Sequence, residues 1–288
     1  RFEREVDSLL FQSKFIEIFS NIRLLEEMSL IFQQSNARFD RLVGVVSEGA
    51  FDNDEQASEL VSAIPNVLVA SDKLTDELLR VKQGCLSLMS HLTGLPQGFL
   101  AQNFEDTWTR QLKPLPGLHP WFPIQLLSQR PDISVGLQIF NTVYQAEINE
   151  NFFLIGKTEV TGESIHADFG KLGAADQSAL SIRERQLVYD IGEAWLSVIR
   201  NANMDVSSAI FQYNETSDLI KMLETEIQFL QREVEDEFMK FDLSTANPRL
   251  LFEKINRLRS TAVKLSFARR DYAVIWSVIN LSIGQSGV

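Results

Sequence analysis

Mostly apolar residues recur at spacings of four and three along three long stretches of this chain, with Ser71 the polar interruption of the first and two steps of seven in the third. The first stretch consists of Leu60, Ile64, Val67, Ser71, Leu74, Leu78, Val81, Cys85, Leu88 and Leu92. The others are Ile220, Leu223, Ile227, Leu230, Val234, Phe238 and Phe241, and Leu251, Ile255, Leu258, Ala262, Leu265, Tyr272 and Ile279. Such heptad seams are typical of coiled-coil helices. The chain is therefore predicted to contain long helices packed side by side.

Caps and helix breakers give the ends of the helices in the second half. Asn247 is a typical N-cap residue, and Pro248 is typical of the first position of a helix. A helix is therefore predicted from Pro248 to about Gly284. The stretch 181–241 contains no proline and only Gly192. It predicts a single helix of about 60 residues, or about 90 Å.

The first half has a similar pattern. A helix is predicted from Arg1 to Val45, followed by a turn rich in Gly, Asp and Asn and by a second helix that ends at Gly94. Pro65 is predicted to kink this second helix or to restart it. Each half is thus expected to form a long helix, a tight reversal and a returning helix.

A domain division follows from these patterns. We expect a first helical hairpin over 1–94, a connector with a helix over 95–150, a short β segment over 151–180 and a second helical hairpin over 181–288. The β segment is predicted because β-branched and aromatic residues are concentrated around 152–169. The predicted fold class is mainly α, with long antiparallel helix pairs.

Composition excludes several classes of function. The net charge of −12 argues against a nucleic-acid partner, which needs a basic surface. No apolar run approaches the roughly 20 residues of a membrane-spanning helix, and no signal peptide is expected at Arg1. The single cysteine, Cys85, excludes an intramolecular disulfide and is expected to pack in the helix core. Scattered histidines and the lack of a phosphate loop predict no metal, no cofactor and no enzyme.

Short motifs in a fixed order add a resemblance to a known family. They are Leu92-Thr93-Gly94-Leu95-Pro96, Leu126-Leu127-Ser128-Gln129-Arg130-Pro131-Asp132-Ile133, Ala268-Arg269-Arg270-Asp271-Tyr272 and the closing Leu281-Ser282-Ile283-Gly284. With the repeated helical pattern around them, they resemble the TolC-like outer-membrane efflux proteins. The resemblance extends over nearly the whole chain.

The resemblance implies a homotrimer in the outer membrane and periplasm of a Gram-negative-type bacterium. Its helices would form a periplasmic α-helical barrel continuous with a β-barrel, and its tips would dock a periplasmic adaptor and an inner-membrane transporter. The function implied is export of small molecules or, as in type I secretion, of polypeptides. The sequence departs from the family pattern because a helix already begins at Arg1 and 152–180 is short for a second β-hairpin. The β-barrel is therefore expected to be reduced or incompletely represented.

Two alternatives to a channel remain at this point. One is a periplasmic scaffold or interaction protein that keeps the helical barrel without conducting. The other is an α-helical pore-forming toxin, which should carry a concentrated apolar hairpin for insertion.

The resemblance also places acidic residues at the periplasmic tip. It puts Glu253 on a position where the family has an inward-pointing carboxylate, whereas the partner position is Leu250, a departure. Three copies of one carboxylate would form an anionic ring that selects cations. The plainer reading is a solvated helix residue paired with Lys254 or Arg257.

Other acidic residues near the reversals are candidates for the same tip. They are Asp242, Glu48, Asp52 and Asp54, although acidic turns are also common as helix caps. In the connector, Arg130, Pro131 and Asp132 are read as structural landmarks, with Asp132 a helix cap and Arg130 its neighbour. An ion pair between protomers is the alternative for Arg130 and Asp132.

Overall fold

A computed structural model describes residues 2–48, 55–108, 182–242 and 247–283, together with Arg130, Ile133, Ser134 and Gly136 of the connector. These residues are helical apart from short connections, which confirms the mainly α fold class. The predicted β segment over 151–180 and most of the connector lie outside the described residues. The chain divides into two compact units, one of residues 15–114 and 216–273 and the other of 1–14, 115–215 and 274–288.

Long helices occupy most of the described residues. They are α1 (Phe2–Glu48), α2 (Glu55–Thr93), α3 (Gln97–Trp108), α4 (Ile182–Asp242) and α5 (Pro248–Ile283). The predicted single helix over 181–241 is confirmed, because α4 is continuous over 61 residues. None of these helices is sufficiently long and apolar to span a membrane.

The predicted helix ends are formed by specific hydrogen bonds. The Asn247 side-chain oxygen accepts from the backbone N–H groups of Arg249 and Leu250, at 3.0 and 3.2 Å, so Asn247 caps α5 as expected. At the end of α2, the Gly94 N–H donates to the Ser90 carbonyl at 2.8 Å. Gly94 has φ of 72°, a left-handed conformation that favours glycine at a helix C-terminus.

Pro65 does not restart α2, which runs through it as one helix. A proline inside a helix leaves the carbonyl four residues earlier, here that of Val61, without its usual partner. Because Pro65 is exposed, water can reach this part of the backbone, and the buried neighbour Ile64 keeps the helix on the core. Burial of the face that carries Ile64 thus outweighs the helix-breaking effect of Pro65.

The first unit, residues 15–114 and 216–273, is built on contacts between successive helices. Lys82 of α2 pairs with Glu26 of α1. The Arg270 side chain of α5 donates to Asn21 of α1 at 3.0 Å. Arg269 Nη2 of α5 lies 3.0 Å from the Glu224 carboxylate of α4. These contacts join α1 to both α2 and α5, and α5 to α4.

A smaller core in this unit joins α1, α2 and α3. It contains Ile18, Ile22, Leu86, Met89 and Leu100, and Cys85 packs against it. Burial raises the pKa of the Cys85 thiol, which keeps the sulfur protonated near neutral pH. The side chain therefore packs as a small apolar group, as its place in the seam predicts.

The α2 seam separates into two rows in the structure. One row, which includes Ile64, Ser71 and Leu78, is buried against the rest of the chain. The other row is exposed toward its end, since Val81 and Leu88 are 53% and 57% exposed. Leu86 and Met89, which are not seam residues, are buried in the core instead of Val81 and Leu88. The second row of the α2 seam is therefore exposed toward its end within the single chain.

The second unit centres on the N-terminal part of α4. Tyr213 is fully buried, and its ring centroid lies 5.7 Å from that of Trp276 of α5. Gly136 of the connector lies against Trp195, where an added Cβ would be 2.7 Å from the ring atom Cδ1. Only glycine permits this approach of the connector to α4.

Candidate functional site at the helical tip

The helix ends that flank the two predicted reversals lie at the same end of the unit formed by 15–114 and 216–273. One hydrophobic cluster combines the end of α1, the start of α2, the end of α4 and the start of α5. Its buried members are Phe39, Leu42, Val46, Ile64, Leu230, Val234, Phe238, Leu251, Ile255 and Leu258. We call this end, residues 39–48, 55–64, 230–242 and 247–258, the tip.

The tip brings together some of the acidic residues that the sequence singled out. Glu48 is the last residue of α1 and Asp242 is the last residue of α4. Because the same cluster holds both helix ends, both residues belong to the tip. Asp52 and Asp54 lie outside the described residues.

Glu253 lies in the first two turns of α5 and is exposed. Its carboxylate accepts from Arg249 Nε at 3.3 Å, one turn earlier on the helix. The partner is therefore neither Lys254 nor Arg257. Lys254 pairs with α4, and Arg257 pairs with Glu226 at 2.8 Å. An exposed pair of this kind contributes little to stability, so the Glu253 carboxylate is available for another role.

The structure adds a buried carboxylate that sequence reasoning missed. Glu237 of α4 is 3% exposed, and its Oε1 accepts from Lys240 Nζ at 2.8 Å and from Lys254 Nζ at 3.0 Å. Lys254 also lies 3.5 Å from Glu233. These four residues, the Glu237 network, fasten the start of α5 to the end of α4.

The two central groups of the network stabilise each other's charge. Burial opposes ionisation of Glu237, but hydrogen bonds from Lys240 and Lys254 outweigh it and lower its pKa. Burial likewise opposes protonation of Lys254, but Glu237 and Glu233 raise its pKa. Both groups are therefore charged near neutral pH.

A weak sequence signal for this network exists. Glu237 immediately precedes the seam residue Phe238. Lys240 lies three residues after Glu237, a spacing that brings side chains together on a helix. The partner on α5 could not be read from such spacing, because it depends on the register between two helices.

Arg41 attaches α1 to the same end of α4. Its guanidinium carbon lies 4.0 Å from the centroid of the Phe238 ring, and its Nη1 lies 3.3 Å from Glu235. A cation over a ring face is attracted by the negative face of the aromatic system. The tip thus has a fixed arrangement of charged groups around an apolar core.

The connector landmarks are only partly described. The Arg130 carbonyl accepts from the Ser134 N–H at 2.9 Å, which starts a helical turn. Pro131 and Asp132 lie outside the described residues, so their predicted roles stay predictions. Among the residues that the structure does describe, no group of three His, Cys, Asp or Glu side chains is placed to bind a metal ion.

Comparison with solved structures identifies the fold. The chain is similar to CusC, whose structure concerns transmembrane channel formation, with 15% identity, 96% of this chain and 77% of that chain covered, and a TM-score of 0.65. It is also similar to the Campylobacter jejuni outer membrane channel CmeC, with 13% sequence identity and a TM-score of 0.63. The match covers 98% of this chain and 64% of CmeC.

The open state of the Neisseria gonorrhoeae outer membrane channel MtrE is also similar, with 11% sequence identity and a TM-score of 0.66. The match covers 99% of this chain and 68% of MtrE. No protein-family model and no curated protein sequence matches the chain. The CmeC and MtrE structures are of outer membrane channels, and the CusC structure concerns transmembrane channel formation. The chain therefore has the fold of the TolC-like outer-membrane channels.

Proposed function

We propose that the chain is a subunit of a trimeric outer-membrane channel that exports small molecules or secreted polypeptides from the periplasm. The observation that carries the proposal is the likeness in fold to outer-membrane channels over almost the whole described chain. The outer membrane and periplasm of a Gram-negative-type bacterium would be its location. The 1–94 and 181–288 segments would act as two helical hairpins of one barrel wall.

Exposed apolar side chains on α2 and α4 support assembly into a ring. Val81 and Leu88 on α2 are more than half exposed, and so are Met222 and Phe229 on α4, at 59% and 58%. In the proposed assembly, the exposed α2 row of one copy packs on the exposed α4 row of the next. An interface between two different surfaces closes into a ring when the rotation between copies permits it.

The tip supplies the gate in this proposal. Three copies of Glu253, with Glu48 and Asp242 and the predicted Asp52 and Asp54, would give an anionic entrance at the periplasmic end. The same tip would dock a periplasmic adaptor and, through it, an inner-membrane transporter. The support is that the helix ends on both sides of the two predicted reversals share one core cluster.

Conductance of the native protein in planar lipid bilayers tests this function. The proposal expects discrete cation-preferring openings that divalent cations reduce. Glu253→Gln should weaken the divalent block severalfold, whereas Glu215→Gln, which removes an exposed carboxylate of α4 outside the tip, should leave it unchanged. A stable trimer without conductance would favour the scaffold alternative. An unchanged block in Glu253→Gln would exclude Glu253 from the gate.

A further inference from the structure

A groove lies between α2 and α5 above the surface of α1, outside the tip. Its volume is about 630 Å³, within the range of small-molecule sites. Phe32 of α1 is buried at the groove, and Leu74 of α2 and Phe267 of α5 are partly exposed along it. The lining is mostly apolar, so a ligand would bury an apolar body here.

Two cations line the same groove without a carboxylate partner. Arg259 and Lys264 form no ion pair with any residue that the structure describes, although Arg249, Arg257 and Arg269 of the same helix each pair with a glutamate. The Arg259 guanidinium donates to Asn256 at 2.8 Å and lies 5.8 Å from the centroid of the Phe32 ring. Burial lowers the pKa of Arg259, but arginine stays protonated in proteins. The groove therefore has positive charge with no internal counter-ion.

A buried hydroxyl in the groove also lacks a partner. Ser71 is 4% exposed and lines the cavity, and its Oγ has no hydrogen-bond partner within the described part of the chain. An unsatisfied buried hydroxyl is unfavourable, because it has lost water without gaining a protein partner. The α2 seam thus has its one polar interruption where the groove opens, and an occupant with a polar atom would satisfy it.

The geometry points to a binding site for a carboxylate-bearing amphiphile. The apolar chain would lie along Phe32, Leu74 and Phe267, and the carboxylate would take hydrogen bonds from Arg259 and Lys264, the pairing that planar guanidinium favours. Charge complementarity selects this occupant over a neutral or cationic one. The inference does not depend on export activity, because it concerns a groove formed within one copy of the chain.

Photo-crosslinking of the native protein with a diazirine analogue of dodecanoate tests the site. Labelling is expected on α2 around 67–74 and on α5 around 259–267. Excess dodecanoate should compete and excess dodecyltrimethylammonium should not. Arg259→Gln should reduce labelling about tenfold, which corresponds to loss of one charged hydrogen bond. Lys264→Gln, at an exposed position that cannot unfold the helix, should also reduce it.

Arg232→Gln on α4 is the matched control, since it removes an exposed positive charge outside the groove. It should leave labelling unchanged. The site would be overturned if Lys264→Gln and Arg259→Gln label like the native protein, or if both competitors act equally. It would also be overturned if the groove of the native protein is not labelled, as expected if a second copy covers it.

Discussion

Glu237 is the residue whose removal should most affect the tip. Glu237→Gln removes the buried negative charge that Lys240 and Lys254 share, so the free energy of unfolding should fall by about 2 kcal/mol. Urea denaturation of the native protein and the variant near neutral pH measures the difference. Glu253→Gln is the control, because it breaks an exposed pair, and it should change stability by less than about 0.5 kcal/mol.

The pH dependence of the same variant has a defined sign. The Glu237 pKa is lower in the folded state than in the unfolded state, so its contribution is present above the unfolded value of about 4.3 and is lost as pH falls through the folded value. The stability difference between native and variant protein should therefore shrink below about pH 4. A difference that stays constant from neutral to acidic pH would contradict the charged network.

Residues with local partners were predictable, and residues with distant partners were not. The Asn247 cap depends on backbone groups two and three residues later, so the dipeptide alone predicts it. Glu237 bonds Lys254, which is 17 residues away on another helix. Its burial depends on how α4 and α5 are aligned. That alignment is set by the whole seam rather than by any residue near Glu237.

At the level of the element, the α5 cap should be measurable. Asn247→Ala removes the acceptor for two N–H groups and should destabilise the fold by about 1 kcal/mol, whereas Asn247→Ser keeps a hydroxyl acceptor and should stay close to the native value. The comparison of urea midpoints checks this. An Asn247→Ala midpoint equal to that of the native protein would mean that Asn247 does not stabilise α5.

The end of α2 provides a second test with a matched glycine. Gly94→Ala forces alanine into a left-handed conformation and should cost about 1 kcal/mol. Gly84→Ala, inside α2 with no atom within 4 Å of the added Cβ, should instead stabilise by about 0.8 kcal/mol. Thermal denaturation of both variants should show opposite shifts of Tm. Shifts of the same sign would contradict the assignment of Gly94 as the helix terminus.

The seams predict that the helices exist, but they do not predict which seam residues are buried. A straight helix has 3.6 residues per turn, so a strict 3.5-residue seam drifts about 20° per heptad relative to a neighbour. In α2 the core-facing positions move from Leu78 to Leu86 and Met89, and Val81 and Leu88 become exposed. The sequence pattern cannot reveal this drift, because it contains the seam but not the position of its neighbours.

At the scale of the whole molecule, the exposed rows predict an association defect. Val81→Glu combined with Leu88→Glu should leave the helical content of each copy unchanged, since both side chains are exposed in the single chain. It should weaken assembly, because charges placed in an apolar interface are left unpaired. Gln83→Glu, an exposed polar position on the same helix, is the control. Circular dichroism and native mass measurement separate the two effects.

The mass of the detergent-solubilised native protein tests the central claim most directly. The proposed trimeric channel predicts a complex of three copies, which the double Val81 and Leu88 variant converts to smaller species. A native protein that is a monomer at concentrations where it is fully folded would contradict the trimeric channel.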